Sequence, residues 1–113
     1  MPAKINFKAR AKYGNKKTVV DGIKFDSIAE AARYGALKLM VSVKMITDLE
    51  LQKRYKLHVN GELICTYVAD FVYRFCGSGV IICEDVKGVR TPVYNLKKKL
   101  MKAIHGIEIR EHK

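Results

Sequence analysis

Apolar and polar positions recur along this chain with two different periods, and each change of period marks an element. Thr18-Val19-Val20 and Ile23-Lys24-Phe25 are short apolar and β-branched runs on either side of Asp21-Gly22. A two-residue turn of that composition suits a type I′ hairpin, which needs positive φ at both centres. From Ala29 the period lengthens, and Ala29, Ala32, Ala36, Leu39, Met40 and Val43 recur at helical spacing. Ser27 fits the N-cap and Glu30 the N3 position of a capping box, so a helix is expected to begin there and to end near Lys44. Gly35 inside it costs about 1 kcal/mol against alanine, which predicts a close packing contact at that point.

Leu49 to Val59 alternates loosely as a strand, Asn60-Gly61 is a second hairpin turn, and Glu62 to Phe75 is a long strand. Tyr67, Ala69, Phe71 and Tyr73 fall on one face of it and Ile64, Val68 and Val72 on the other. Two apolar faces predict a central strand covered on both sides, with the aromatics in the core. Val80 to Lys87 reads as a third strand after the turn Gly77-Ser78-Gly79. Thr91 as N-cap and Pro92 at N1 open a second helix, with Val93, Leu96, Leu100, Met101 and Ile104 as its apolar stripe and Gly106 at C′. Ile107 to Arg110 closes as a short strand. After the opening hairpin the order α-β-β-β-α-β predicts an α/β fold around a mixed sheet.

Charge narrows the class of partner. Twenty-two Lys and Arg stand against 11 Asp and Glu in 113 residues, a formal net charge of +11. Such an excess on one small domain points to a polyanion, first of all nucleic acid. Residues 1–17 carry Lys4, Lys8, Arg10, Lys12, Lys16 and Lys17 with no acid, and read as a basic arm ahead of a single domain, 18–113. A solubilising tail has the same composition. The apolar runs fall short of the about 20 residues that cross a bilayer. No apolar secretory segment is visible near the start. Three cysteines without C-x-x-C spacing favour reduced thiols over a zinc site. A cytoplasmic protein without a membrane is the expectation.

The candidate chemistry lies at the ends of the apolar strands. Asp70 follows Tyr67-Val68-Ala69, and Asp85 and Lys87 follow Val80-Ile81-Ile82-Cys83. Strand period places Asp85 and Lys87 on one face, with Glu84 and Val86 on the other. The two strands are hairpin neighbours, so Asp70 and Asp85 are expected to meet. Paired carboxylates repel, and a divalent cation relieves that repulsion. Oxygen donors favour Mg²⁺ or Mn²⁺.

Asp70 followed by Glu84-Asp85-Val86-Lys87 resembles the D…(D/E)-x-K signature of the restriction-endonuclease-like PD-(D/E)xK nucleases. The order α-β-β-β-α-β is similar to their core. Tyr13-Gly14-Asn15-Lys16, Asp21 to Ser27 and Tyr67-Val68-Ala69-Asp70-Phe71 closely resemble a family of small phage and prophage proteins placed in that superfamily, which also holds phage Holliday-junction resolvases. Ala69 stands where the signature is usually written with proline. The resemblance implies Mg²⁺- or Mn²⁺-dependent hydrolysis of DNA, with branched DNA as the favoured substrate and a homodimer to cut two strands. It implies Asp70, Asp85 and the Val86 carbonyl as metal ligands, and Lys87 beside the attacking water. Glu30 matches a first-helix glutamate that completes such sites. Closing its own capping box is the competing role for Glu30, and a structural ion pair the competing role for Asp70.

DNA contact is expected from Lys16 and Lys17 in the arm, from Gln52, from Thr91 at the helix start, and from Lys97, Lys98, Lys99 and Lys102. A solvated helix face is the plain alternative for the lysine run. For the whole protein the alternatives are a nuclease-like fold that binds nucleic acid without cutting it, and an RNA-binding protein.

Overall fold

The computed structural model describes residues 17–86 and 90–112. Elements follow the order β1 (Thr18–Val20), β2 (Ile23–Phe25), α1 (Ile28–Ser42), β3 (Ile46–Val59), β4 (Glu62–Phe75), β5 (Ile81–Val86), α2 (Pro92–Leu100), continued by a π-helical turn (Met101–His105), and β6 (Arg110–His112). The protein is mixed α/β. A contact boundary between Leu39 and Met40 divides it into two compact units.

In the first unit β1 and β2 pair antiparallel through Asp21 and Gly22, whose φ of 54° and 75° are those of the expected turn. The ring of Tyr34 lies 5.0 Å from that of Phe25, and its hydroxyl donates to Asp21 Oδ2 at 3.2 Å. Hairpin and helix are thereby joined by one side chain. The Ser27 cap forms, the Glu30 N–H donating to Ser27 Oγ at 3.0 Å, but the Glu30 carboxylate reaches one residue past the box partner and accepts the Asp26 N–H at 3.2 Å.

The buried face of α1 is not the one its apolar spacing suggests. Glu30, Ala31, Tyr34 and Leu37 are buried, whereas Ala32, Ala36, Leu39 and Val43 are exposed. Two sets of residues in this helix have i, i+3/i+4 spacing, and the larger Tyr34 and Leu37 gain more from leaving water. The contact expected at Gly35 is also absent among the described residues, since an added Cβ would meet none of them within 4 Å.

In the second unit the sheet order is β3-β4-β5-β6, antiparallel except for the β5–β6 pair, which is parallel. Asn60 and Gly61, with φ of 52° and 81°, make the β3–β4 turn. β3 begins three residues earlier than its alternation suggests and carries a bulge between Thr47 and Glu50, where Asp48 takes a φ of 57°. β6 lies later than expected, at Arg110–His112 in place of 107–110. α2 packs on the sheet through Tyr94, and Met101 of the following turn joins Leu57, Tyr67, Ala69 and Cys83 in the core. Val93 and Leu96 of the expected stripe are exposed. The Thr91 cap is formed, its hydroxyl accepting the Tyr94 N–H at 3.0 Å. Gly106 ends the segment with a φ of 69°.

Candidate active site

β4 and β5 pair regularly from Arg74↔Ile81 to Phe71↔Glu84, and there their ladder ends. Beyond that point the Val86 N–H donates to Asp70 Oδ2 at 2.7 Å. A backbone N–H on a carboxylate is a strong, charge-assisted bond. It fixes the Asp70 carboxylate against β5, beside Asp85. On the other side of β4, Leu51 pairs with Phe71 and Lys53 with Ala69, while Gln52 between them is skipped. Gln52 has a φ of 55°, a left-handed conformation that costs a side chain about 1–2 kcal/mol. Its Nε2 faces Asp70 Oδ1 at 3.5 Å. Both neighbours of β4 are therefore irregular at Asp70, and strained backbone concentrates at functional sites.

Asp85 is buried, and the Tyr67 hydroxyl donates to its Oδ2 at 2.6 Å. Burial, and then the charge of Asp85, pushes the Tyr67 hydroxyl far above the ordinary tyrosine range. Tyr67 therefore remains a proton donor to Asp85 at working pH. Cys83 reports on both acids. Burial first, then the charges of Asp85 and Asp70, pushes its thiol up to about 12. Glu84 occupies the opposite face of β5, as strand alternation requires, fully buried with the Tyr73 hydroxyl donating to its carboxylate. Tyr67 and Tyr73, expected on one face of β4, thus bond acids on opposite faces of β5, and Tyr67 and Ala69 share their core cluster with Val72.

The sequence candidates fall into three groups. Gln52, Asp70, Asp85 and Val86 are brought together. Glu30 belongs to the first unit, where its carboxylate accepts the Asp26 N–H at the helix start. Lys87 and Lys16, with the rest of the arm up to residue 16, lie outside the described residues, and Lys17 pairs with Asp26 at 3.7 Å. Among the described residues no three His, Cys, Asp or Glu side chains group to hold a metal ion. Two carboxylates and the Val86 carbonyl nevertheless suit Mg²⁺, which commonly takes one or two carboxylates and keeps several waters.

α2 and β6 add a charged flank. β6 pairs with β5 in the register Asp85↔Glu111, so Glu111 is the direct neighbour of Asp85. Glu111 accepts from Arg90 Nη2 at 2.6 and 2.7 Å, from the Tyr94 hydroxyl at 2.8 Å and from Lys98 Nζ at 3.0 Å. Burial alone would raise the Glu111 carboxyl, but those donors outweigh it and hold the group at about 2. Lys102 Nζ pairs with Glu108 at 2.7 Å. A groove of about 610 Å³ runs here, lined by Arg90, Asn95, Lys98, Lys99, Lys102 and Glu108. Of the lysine run, Lys98, Lys99 and Lys102 thus line the groove, and Lys97 does not. Thr91 acts through its cap.

Sequence reasoning passed over Arg90, Tyr94 and Glu111, and placed Tyr67 only in the core. Tyr67 had one available signal, a hydroxyl on an apolar strand face that needs a buried partner. Glu111 had none, because its position depends on a parallel pairing between strands separated by a helix.

The family described as protein of unknown function (DUF1064) matches residues 10–112, and the chain belongs to that family. No curated protein and no solved structure matches it.

Proposed function

We propose that this member of the DUF1064 family is a divalent-metal-dependent endonuclease acting on DNA, with a restriction-endonuclease-like core. The observation that carries the reading is the placing of Asp70 and Asp85 on neighbouring strands where the β4–β5 ladder ends, with the Val86 amide bound to the first carboxylate and Tyr67 to the second. The order α-β-β-β-α-β after the hairpin supports it, as does the charge of +11.

In this reading Asp70, Asp85 and the Val86 carbonyl hold Mg²⁺ or Mn²⁺. Such an ion, when bound, supplies a Lewis acid and a more acidic water. The Val86 N–H and the Tyr67 hydroxyl keep the two carboxylates oriented without reorganisation at the moment of reaction. Gln52, beside Asp70, binds a phosphate oxygen or a water. Lys87 takes the role that the signature assigns to it, orienting the attacking water or balancing the charge that develops on phosphorus. Glu30 stays a helix cap, with a ligand role as an addition to test. Branched DNA is the favoured substrate. Its two-strand cleavage calls for a homodimer. Phage or prophage origin and a cytoplasmic site of action belong to the same reading.

The test is cleavage of a labelled four-way junction and a matched linear duplex with Mg²⁺ or Mn²⁺, beside Asp85→Ala and Asp70→Asn. Each variant is expected to lose at least about a hundredfold in rate, as loss of a main electrostatic contributor does. The ratio of junction to duplex cleavage sets the substrate class. A folded wild type that binds DNA and cuts neither substrate would leave a non-catalytic binding protein. Tighter binding of structured RNA than of either DNA would move the partner to RNA.

A further inference from the structure

The groove beside α2 already contains anions, and they are the protein's own. Glu111 sits among three donors and is fixed by the β5–β6 ladder. It holds the Arg90 guanidinium and Lys98 in place at one end of the groove. Glu108 differs. Its side chain and that of Lys102 are 74% and 66% exposed, and it lies outside any strand. A pair so wetted contributes little net stability and exchanges readily for another anion. With Glu108 displaced, Lys99 and Lys102 would present two cations along the same helix, next to the Arg90 and Lys98 that Glu111 orients. Four cations lining one groove match a run of backbone phosphates better than a single small anion.

We propose that this groove is a binding site for the phosphate backbone of DNA, in which Glu108 stands in for a phosphate on Lys102 until DNA displaces it. The inference rests on the DNA reading above and adds a site and an entry step to it. Since Glu111 neighbours Asp85 across the ladder, a backbone held here runs past the carboxylate pair.

The experiment measures binding of the full chain to a labelled DNA duplex by fluorescence anisotropy. It is run in a chelator across a range of salt, so that cleavage plays no part. Glu108→Gln is expected to tighten binding several-fold. Glu62→Gln, at an exposed position in β4, changes the net charge by the same amount and is expected to leave binding within about twofold. Lys99→Gln/Lys102→Gln is expected to weaken binding about tenfold and to lower the log–log salt slope by about two, since each phosphate contact contributes about 0.9. Equal tightening by Glu62→Gln and Glu108→Gln would reduce the effect to net charge and overturn the proposal. So would an unchanged salt slope in the double variant, or tighter binding of an RNA duplex of the same sequence. A wild type that never cuts, yet shows the groove dependence, retires the nuclease and keeps the groove. A cleaving protein indifferent to all the groove variants retires the groove alone.

Discussion

Tyr67 and Asp85 show how much one side-chain bond decides. Asp85 lies in a core strand, where an ionised carboxylate survives only with partners. Tyr67→Phe removes one donor without changing the shape of the ring. The expected cost is about 1–3 kcal/mol, the penalty of leaving a buried acceptor less satisfied. Urea unfolding of the variant measures it, and a change within about 0.5 kcal/mol, typical of neutral surface substitutions, would show that the bond holds nothing. Asp70 and Asp85 were legible in the sequence because a charge in an apolar strand conflicts with its surroundings, although Asp70 lies within β4 and not at its end. Tyr67 was legible only as an aromatic, since its hydroxyl partner sits 18 residues away on another strand. Gln52 was named as a phosphate or water contact, but its left-handed backbone follows from the local ladder and no residue pattern announces it.

Among the elements, α1 combines a correct start with a misread face. Ser27 and Glu30 cap the helix start because capping is local chemistry, complete between Asp26 and Glu30. Which face is buried depends on what lies opposite, and there Tyr34 and Leu37 displace the alanine stripe. Gly35 then faces none of the described residues within reach of an added Cβ. Gly35→Ala is expected to stabilise the protein by about 1 kcal/mol through helix propensity and reduced unfolded-state entropy. Thermal melts check this, and a lowered midpoint would reveal a contact at that surface. The same division holds in α2. Its Thr91 cap and Gly106 stop were readable, but Tyr94 and Met101 take the buried positions and Val93 and Leu96 are left exposed.

At the scale of the whole molecule, a charge of +11 makes each internal acid count. Glu111 ties β6 to α2 through Arg90, Tyr94 and Lys98, across 13 to 21 residues of chain. Its folded-state carboxyl lies at about 2, below its ordinary 4.5. The unfolded chain therefore takes up that proton first as pH falls. The stabilisation is complete above about 4.5 and disappears as pH drops toward 2. Wild type is expected to exceed Glu111→Gln by about 1–2 kcal/mol at neutral pH, the scale of a partly exposed charged hydrogen-bond cluster. That difference should shrink through this window in chemical denaturation at stepped pH. A gap that is constant with pH would assign the effect to packing.

Local or periodic features could be read from the residues alone: the two type I′ turns, the helix caps, the order of elements, the central place of β4, and the acids Asp70 and Asp85 in apolar strands. Each of these depends on residues within a few positions of one another, or on a side-chain period that backbone geometry imposes. Tertiary contacts set the buried face of α1, the left-handed backbone at Gln52, the Val86 amide on Asp70, and the placing of Glu111 beside Asp85. Those features arise where strands distant in sequence meet and compete for the same hydrogen bonds. A parallel pairing such as β5–β6 carries no turn to announce its register, so the charged flank it builds appears only once the chain has folded.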